Sequence, residues 1–169
     1  MSILVRIISG GQTGADQGAL AAARELGLPT GGAMPLGFMT EAGPRPEFAS
    51  LYGMRELIEP DPLARTEINV RESDGTLILG DAGLGGSRAT KEFCDALGKP
   101  AYPLPWHPGE LAPLSALPDI RRWLADTAIR TLNVAGNRES EAPGIFAVTR
   151  EVLLAALKAQ DAHRSIPRS

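Results

Sequence analysis

A three-layer α/β fold, with a mostly parallel central sheet covered by helices on both faces, is predicted by two patterns in the chain. Short apolar runs alternate with helical periods from end to end. Three of those runs pass through a glycine-rich turn straight into a helical period, at residues 9–18, 80–87 and 136–144. In an open parallel sheet such turns gather along the carboxyl edge of the strands, where ligands bind.

The first strand is the apolar run at residues 4–8. It leads through Ser9-Gly10-Gly11-Gln12-Thr13-Gly14 into a helix on which Ala15, Ala19, Ala22, Ala23 and Leu26 recur at helical spacing, with Gly27 placed to end it in a left-handed cap. Glycines let the backbone turn sharply and come close to a ligand, and the unpaired N–H groups of the helix's first turn carry partial positive charge. Gly10, Gly11, Gln12, Thr13 and Gly14, with Asp16 beside them, are therefore expected around a phosphate. The turn has neither the Lys-Ser or Lys-Thr of a P-loop nor the Gly-x-Gly-x-x-Gly of a dinucleotide fingerprint, so the cradle is of a third kind. A short, glycine-broken second strand follows at residues 28–34. Residues 35–47 have no regular period and read either as a lid or as a surface excursion.

Asp61 and Pro62 start a helix that is expected to run to about Ser73, with Asp as N-cap and Pro in the first turn. Leu63, Glu67 and Val70 share one face of it; Arg65, Asn69 and Glu72 share another. The apolar face should be buried, and the polar face turns either to water or to the ligand edge. After the strand at residues 76–79, the second glycine turn offers Gly83, Gly85, Gly86, Ser87 and Thr90 as a second anion cradle. Ser87 is also explained as a helix cap alone. Its helix turns Ala89, Phe93, Ala96 and Leu97 inward, and Cys94 reads as a packed residue.

A strand at residues 101–104, a proline-rich connection around Trp106 and His107, and an amphipathic helix with Leu117, Ile120, Leu124 and Ala128 come next. The last strand, at residues 131–135, leads into the third turn, which holds Gly136, Arg138 and Glu141. A helix carrying Ile145, Val148, Val152, Leu153 and Ala156 closes a single domain over residues 1–160, and residues 161–169 form a polar tail. The alternation is that of a Rossmann-like domain with three loops at one edge.

Composition narrows the function. At 169 residues and 22% charged residues the chain is ordinary for a globular domain; its net charge of −3 and lack of a basic stretch argue against nucleic acid as a partner. The single cysteine excludes an internal disulfide and cysteine-rich metal sites, and the two histidines, His107 and His163, stand far from clustered carboxylates, so no protein-ligated metal is expected. Nothing reads as a signal peptide or membrane span, so a cytoplasmic protein with no membrane partner is the expectation.

Three segments carry a resemblance: Ile7-Ile8-Ser9-Gly10-Gly11-Gln12-Thr13-Gly14-Ala15-Asp16, the run from Arg65 through Asn69 and Glu72 to Leu79, and Asn133-Val134-Ala135-Gly136-Asn137-Arg138-Glu139-Ser140-Glu141-Ala142-Pro143-Gly144-Ile145. In that order they resemble the circularly permuted branch of the YpsA-type, LOG-like (SLOG) Rossmann superfamily, also labelled molybdenum-cofactor carriers. In unpermuted relatives the segment resembling residues 134–145 stands first and the glycine-rich signature late. The resemblance implies binding of a phosphate-bearing small molecule, nucleotide-like or pterin-type. For carriers this is the molybdenum cofactor (molybdopterin), whose dithiolene supplies the metal's ligands. It also implies a symmetric homodimer or homotetramer, and it turns the Arg65, Asn69 and Glu72 face toward the ligand edge.

Related LOG enzymes cleave the glycosidic bond of a nucleoside monophosphate with a signature that ends in glutamate. Gln17 stands in that place here, and a glutamine neither exchanges a proton nor stabilises an oxocarbenium ion by charge. A binding or carrier role is therefore expected ahead of hydrolysis, in which Asp16 or Glu141 would be acid or base and Arg65 or Arg138 would hold phosphate.

Overall fold

The computed structural model describes residues 4–161, so the polar tail expected at residues 161–169 lies, apart from Asp161, outside the described residues. In chain order the elements are β1 (Arg6–Ser9), α1 (Ala15–Glu25), β2 (Thr30–Met34), a 3-10 turn (Leu36–Phe38), β3 (Met39–Thr40), β4 (Gly43–Pro44), α2 (Phe48–Tyr52) and β5 (Met54–Glu56). Then come α3 (Pro62–Arg71), β6 (Gly75–Leu79), α4 (Gly85–Leu97), β7 (Ala101–Leu104), a second 3-10 turn (Leu114–Ala116), α5 (Leu117–Asp126), β8 (Thr131–Gly136) and α6 (Ile145–Asp161).

Six strands form one sheet in the order β5-β2-β1-β8-β6-β7, every pair parallel. The α/β Rossmann-like architecture is thus as expected. β6 is buried at all five positions, the near-continuous apolar run that a parallel strand covered on both faces requires. Pro103, which cannot donate to a ladder, sits on the edge strand β7. From β1 the chain builds outward through β2 to β5, then crosses to β6 and β7 on the other side; β8 enters last, between β1 and β6. The strand order therefore reverses beside β1 and β8, and a crevice opens at their carboxyl ends.

One face of the sheet carries α1, α5 and α6 over the main core, where Ile7, Leu77, Leu79, Leu132 and Val134 meet Ile145 and Leu153. The alanine face of α1 lets α6 lie close: a Cβ on Gly18 would stand 2.4 Å from the carbonyl oxygen of Phe146. The other face carries α3 and α4. Among the described residues no helix is long and apolar enough to cross a membrane.

Several expectations are corrected. The segment at residues 35–47 is not irregular: it holds a 3-10 turn and the antiparallel hairpin β3–β4. The helix α2 and the edge strand β5 that follow were not foreseen, because at five and three residues they are too short for a hydrophobic period to register. Helix α3 starts on its Asp61 cap as expected, with Asp61 Oδ1 accepting from Leu63 N at 2.9 Å, but ends at Arg71. Leu63 is 48% exposed whereas Val70 is fully buried. Seven residues are about 10 Å of helix axis, so the first turn projects past the strand ends while Val70 reaches the sheet. Glu72 does not turn to the ligand edge; it pairs with Arg55 on the surface at 2.5 Å. Ser87 is not the cap of α4, since Leu84 holds that position with no capping side chain.

Candidate functional site

The three strand-end turns are tied together by one residue, through its side chain and its backbone oxygen. Asn137, buried just after β8, accepts from Asp81 N at 2.6 Å and donates to Asp81 O at 3.2 Å and Ser87 Oγ at 3.4 Å. Its backbone oxygen accepts from Ala15 N at 3.2 Å. The close approach needs glycines: a Cβ on Gly80 would lie 2.1 Å from Asn137 Oδ1, and one on Gly14, whose φ is +79°, 2.5 Å from Asn137 O. Gly136 is similarly confined, by Leu79 O at 2.4 Å.

The bottom of the crevice is charged. Asp16 is buried, and Arg65 reaches over from α3 to donate to Gly10 O at 2.8 Å. A Cβ on Gly10 would stand 2.8 Å from Asp16 Oδ2 and 2.9 Å from Arg65 Nη1, so only glycine lets the two flank the turn. Burial pushes the Asp16 carboxyl up to about 6, against the pull of Arg65 and of hydrogen bonds from Gln12 and Gly10 N–H. Burial also pushes Arg65 down; Asp16 opposes this and Arg138 adds to it. The donors of the first turn are largely spent within the protein. Gln12 N donates to Asp16 at 3.2 Å, and Thr13 N to Gln12 Oε1 at 3.0 Å.

Above this pair the crevice encloses about 490 Å3, its open mouth included. Gly10, Gln12, Asp16, Arg65, Asn69, Gly86, Thr90, Gly136, Arg138 and Glu141, all candidates from the sequence, line it. Helix α4 points its uncapped N-terminus here, and a Cβ on Gly86 would meet nothing within 4 Å. That leaves first-turn backbone open to an anion. The guanidinium of Arg138 is exposed and has no ion pair or hydrogen bond among the described residues; Glu141 instead accepts from Arg138 N at 3.0 Å. Two arginines thus face one concavity.

Other candidates do different work. Asn69 spends its amide on β2, accepting from Ala33 N at 2.8 Å and donating to Ala33 O at 3.1 Å, which satisfies backbone groups past the last β1–β2 residue pair. Thr90 donates to Gly86 O at 2.9 Å. Gly11, with φ of +72°, packs against Met34, and Gln17 braces it by donating to Gly11 O at 3.2 Å. Gly83 N donates to Asp81 Oδ1 at 2.8 Å, and Gly85, with φ of +43°, faces Glu141. Thr13 donates to Glu41 and accepts from Glu139 N.

Sequence reasoning missed Asn133, Thr66 and Ala135 on the wall, the Asn137 tie, and Glu41 at the tip of the β3–β4 hairpin. Glu41 accepts from Thr13 Oγ1 and from Ser140 Oγ and N, and its own N donates to Gln12 Oε1 at 2.9 Å, so the hairpin is fastened across the first and third turns. The Ser140 and Thr13 hydroxyls hold its carboxyl below the usual range. Asn137 stood inside a quoted motif, directly after Gly136; Glu41 had no signal, its partner lying 99 residues away. Among the described residues no three His, Cys, Asp or Glu side chains are grouped to hold a metal ion.

Residues 7–157 match the profile of the circularly permutated YpsA SLOG family. Among solved structures the chain is similar to a crystal structure of the "Putative molybdenum carrier protein" from Syntrophus aciditrophicus. The two are 36% identical with a TM-score of 0.84, and the match covers 92% of this chain and 96% of that one. No curated protein matches.

Proposed function

The chain belongs to the circularly permuted YpsA SLOG family, and on that premise we propose that it is a binding or carrier protein for a phosphate-bearing small molecule. The observation that carries the proposal is the pair of arginines on one crevice, the half-buried Arg65 and Arg138, which has no ion pair among the described residues, beside the uncapped N-terminus of α4. Asp16 offsets part of the charge of Arg65 and Glu41 attracts Arg138, but both guanidinium forks border the crevice and their geometry matches phosphate oxygens. Gly86, Thr90 and Gly136 complete the wall around that anion.

The name of the similar structure makes the molybdenum cofactor one candidate cargo. Its phosphate fits the arginines. With no metal-ligating group among the described residues, a molybdenum atom would keep the ligands its own organic part supplies.

Calorimetric titration with nucleotides and pterin phosphates tests the reading. Arg138→Ala and Arg65→Ala should each weaken the best ligand at least tenfold; an Arg138→Ala protein that binds every ligand as the wild type does would end it.

Hydrolysis of nucleoside monophosphates is the second reading, and one observation favours it. A crevice carboxyl with a pKa of about 6, that of Asp16, can exchange a proton near neutrality. Against it, Gln17 is engaged in bracing the first turn. Released base above the background of Asp16→Asn, in assays with a panel of nucleoside monophosphates, is the result it requires.

A further inference from the structure

The β3–β4 hairpin is pinned at its base and lightly held at its tip. Phe48 belongs to the core cluster of Leu20, Met34 and Met54, Phe38 packs against that cluster, and Arg45 N closes the base by donating to Phe38 O at 2.9 Å. Between these anchors, residues 39–44 contribute nothing to either core cluster. The tip keeps its own shape, since Thr40 Oγ1 accepts from Ala42 N at 3.1 Å and donates to Gly43 O at 2.7 Å. Among the described residues, every hydrogen bond that ties 39–44 to the turns of the site is made by Glu41. Its N donates to Gln12 Oε1 at 2.9 Å, and its carboxylate accepts from the Thr13 hydroxyl, from Ser140 Oγ and from Ser140 N at 3.3 Å.

We propose that Glu41 is a displaceable internal oxyanion: an anion entering the crevice takes over the donors that its carboxylate holds, and frees the hairpin tip to swing off the first and third turns. The inference rests on the anion reading above and adds how the site is opened. Two hydroxyls and a backbone N–H, with the attraction of Arg138 beside them, suit a phosphate oxygen as well as a carboxylate oxygen. Glu41 is exposed, so a solute anion reaches the same donors without first opening the core. It also stands on an approach to the arginines: Arg65 and Arg138 border both the crevice and a concavity adjoining it, and Glu41 lines the second. A second negative charge drawn to Arg138 repels the Glu41 carboxylate, so the latched state and the occupied state disfavour each other. With the tip outside the apolar core, the latch consists of exposed polar bonds, whose small net worth lets them exchange. A ligand that binds the unlatched state more tightly shifts the hairpin by that difference in affinity.

Hydrogen exchange of residues 36–46 with and without inorganic phosphate, together with calorimetric titration of the same phosphate, tests the proposal. Saturating phosphate should raise exchange across this segment of the wild type by about threefold or more. Glu41→Gln should show the raised exchange without phosphate, respond no further to it, and bind it about fivefold or more tightly than the wild type. Ser140→Ala loosens the latch but also removes a donor from the incoming anion, so it should raise exchange without gaining affinity. Circular dichroism melts check that both variants fold. Bound phosphate that leaves the segment unchanged or slows its exchange, a Glu41→Gln protein that binds no more tightly than the wild type, or an equal gain in Ser140→Ala overturns the latch and leaves the anion reading standing. An Arg138→Ala protein that binds phosphate as the wild type does, with the hairpin still responding, keeps the latch and overturns the anion reading instead. Phosphate bound by neither the wild type nor Glu41→Gln overturns both.

Discussion

Asp16 sets the pH behaviour of the crevice. Its carboxyl is raised from 3.8 to about 6, mainly by burial, so the folded protein holds this proton more tightly than the unfolded chain does. The stability this lends is full below about pH 4 and is lost as pH rises through about 6. Two pKa units correspond to about 3 kcal/mol. Asp16→Asn has no such proton to lose, so its unfolding free energy in urea, minus that of the wild type, should rise by up to ~3 kcal/mol between pH 4 and pH 7.5. A difference that stays flat would mean that Asp16 titrates elsewhere. An anion placed near Arg65 and Arg138 pushes the same carboxyl higher still, so near pH 6.5 the wild type should take up more protons on binding a ligand than Asp16→Asn does. The enthalpy would then depend on the ionisation heat of the buffer. Gly86 offers a contrast at the same scale. With open space around its missing Cβ, Gly86→Ala should leave stability unchanged or higher by up to ~1 kcal/mol, yet weaken a ligand that rests on this backbone.

At the scale of elements, the junctions matter more than the helices they open. Asn137 bonds both backbone groups of Asp81 and the Ser87 hydroxyl, so Asn137→Ala leaves Asp81 N without its acceptor and Asp81 O and Ser87 Oγ without their donor, all in the second turn. A cost of about 2–4 kcal/mol is expected, read as a lower urea midpoint at constant m-value. The three junctions were legible in the sequence because each joins an apolar run, glycines and a helical period within a dozen residues. What holds them was not, because Asn137 meets Asp81 across 56 positions and Glu41 meets Ser140 across 99. Burial of α3 was half legible for a similar reason. The period identifies an apolar stripe on the helix but not how far along it the sheet extends, and so Val70 is buried and Leu63 is not. Arg65 turning to the first glycine turn was expected from the resemblance, which runs through residues 65–79, and its bond to Gly10 O is the detail that only the fold supplies.

The whole molecule carries the consequence of its permuted order. The family resemblance also implies a homodimer or homotetramer; two large apolar side chains, Ile58 and Leu111, are 90% and 91% exposed in the single chain. A monomeric mass by light scattering at micromolar concentration would remove that expectation. The permutation itself makes a sharper demand on folding. β8 comes late in the chain, yet it pairs with β1 on one side and β6 on the other, and it is followed by the Asn137 tie and by α6, which packs on α1. Before β8 enters, β1 has no neighbour on one side, β6 has only β7, and the two halves of the sheet are not joined. Ser9 Oγ, which donates to Val134 O at 2.7 Å, is then without that acceptor. A parallel sheet closed by its last strand pays loop-closure entropy over most of the chain before its central ladder forms, which slows folding. A chain that stops at residue 128 should therefore retain helical signal but show no cooperative urea transition. A sharp transition in that fragment would mean that β2, β1 and the β6–β7 pair form a stable unit without the strand between them.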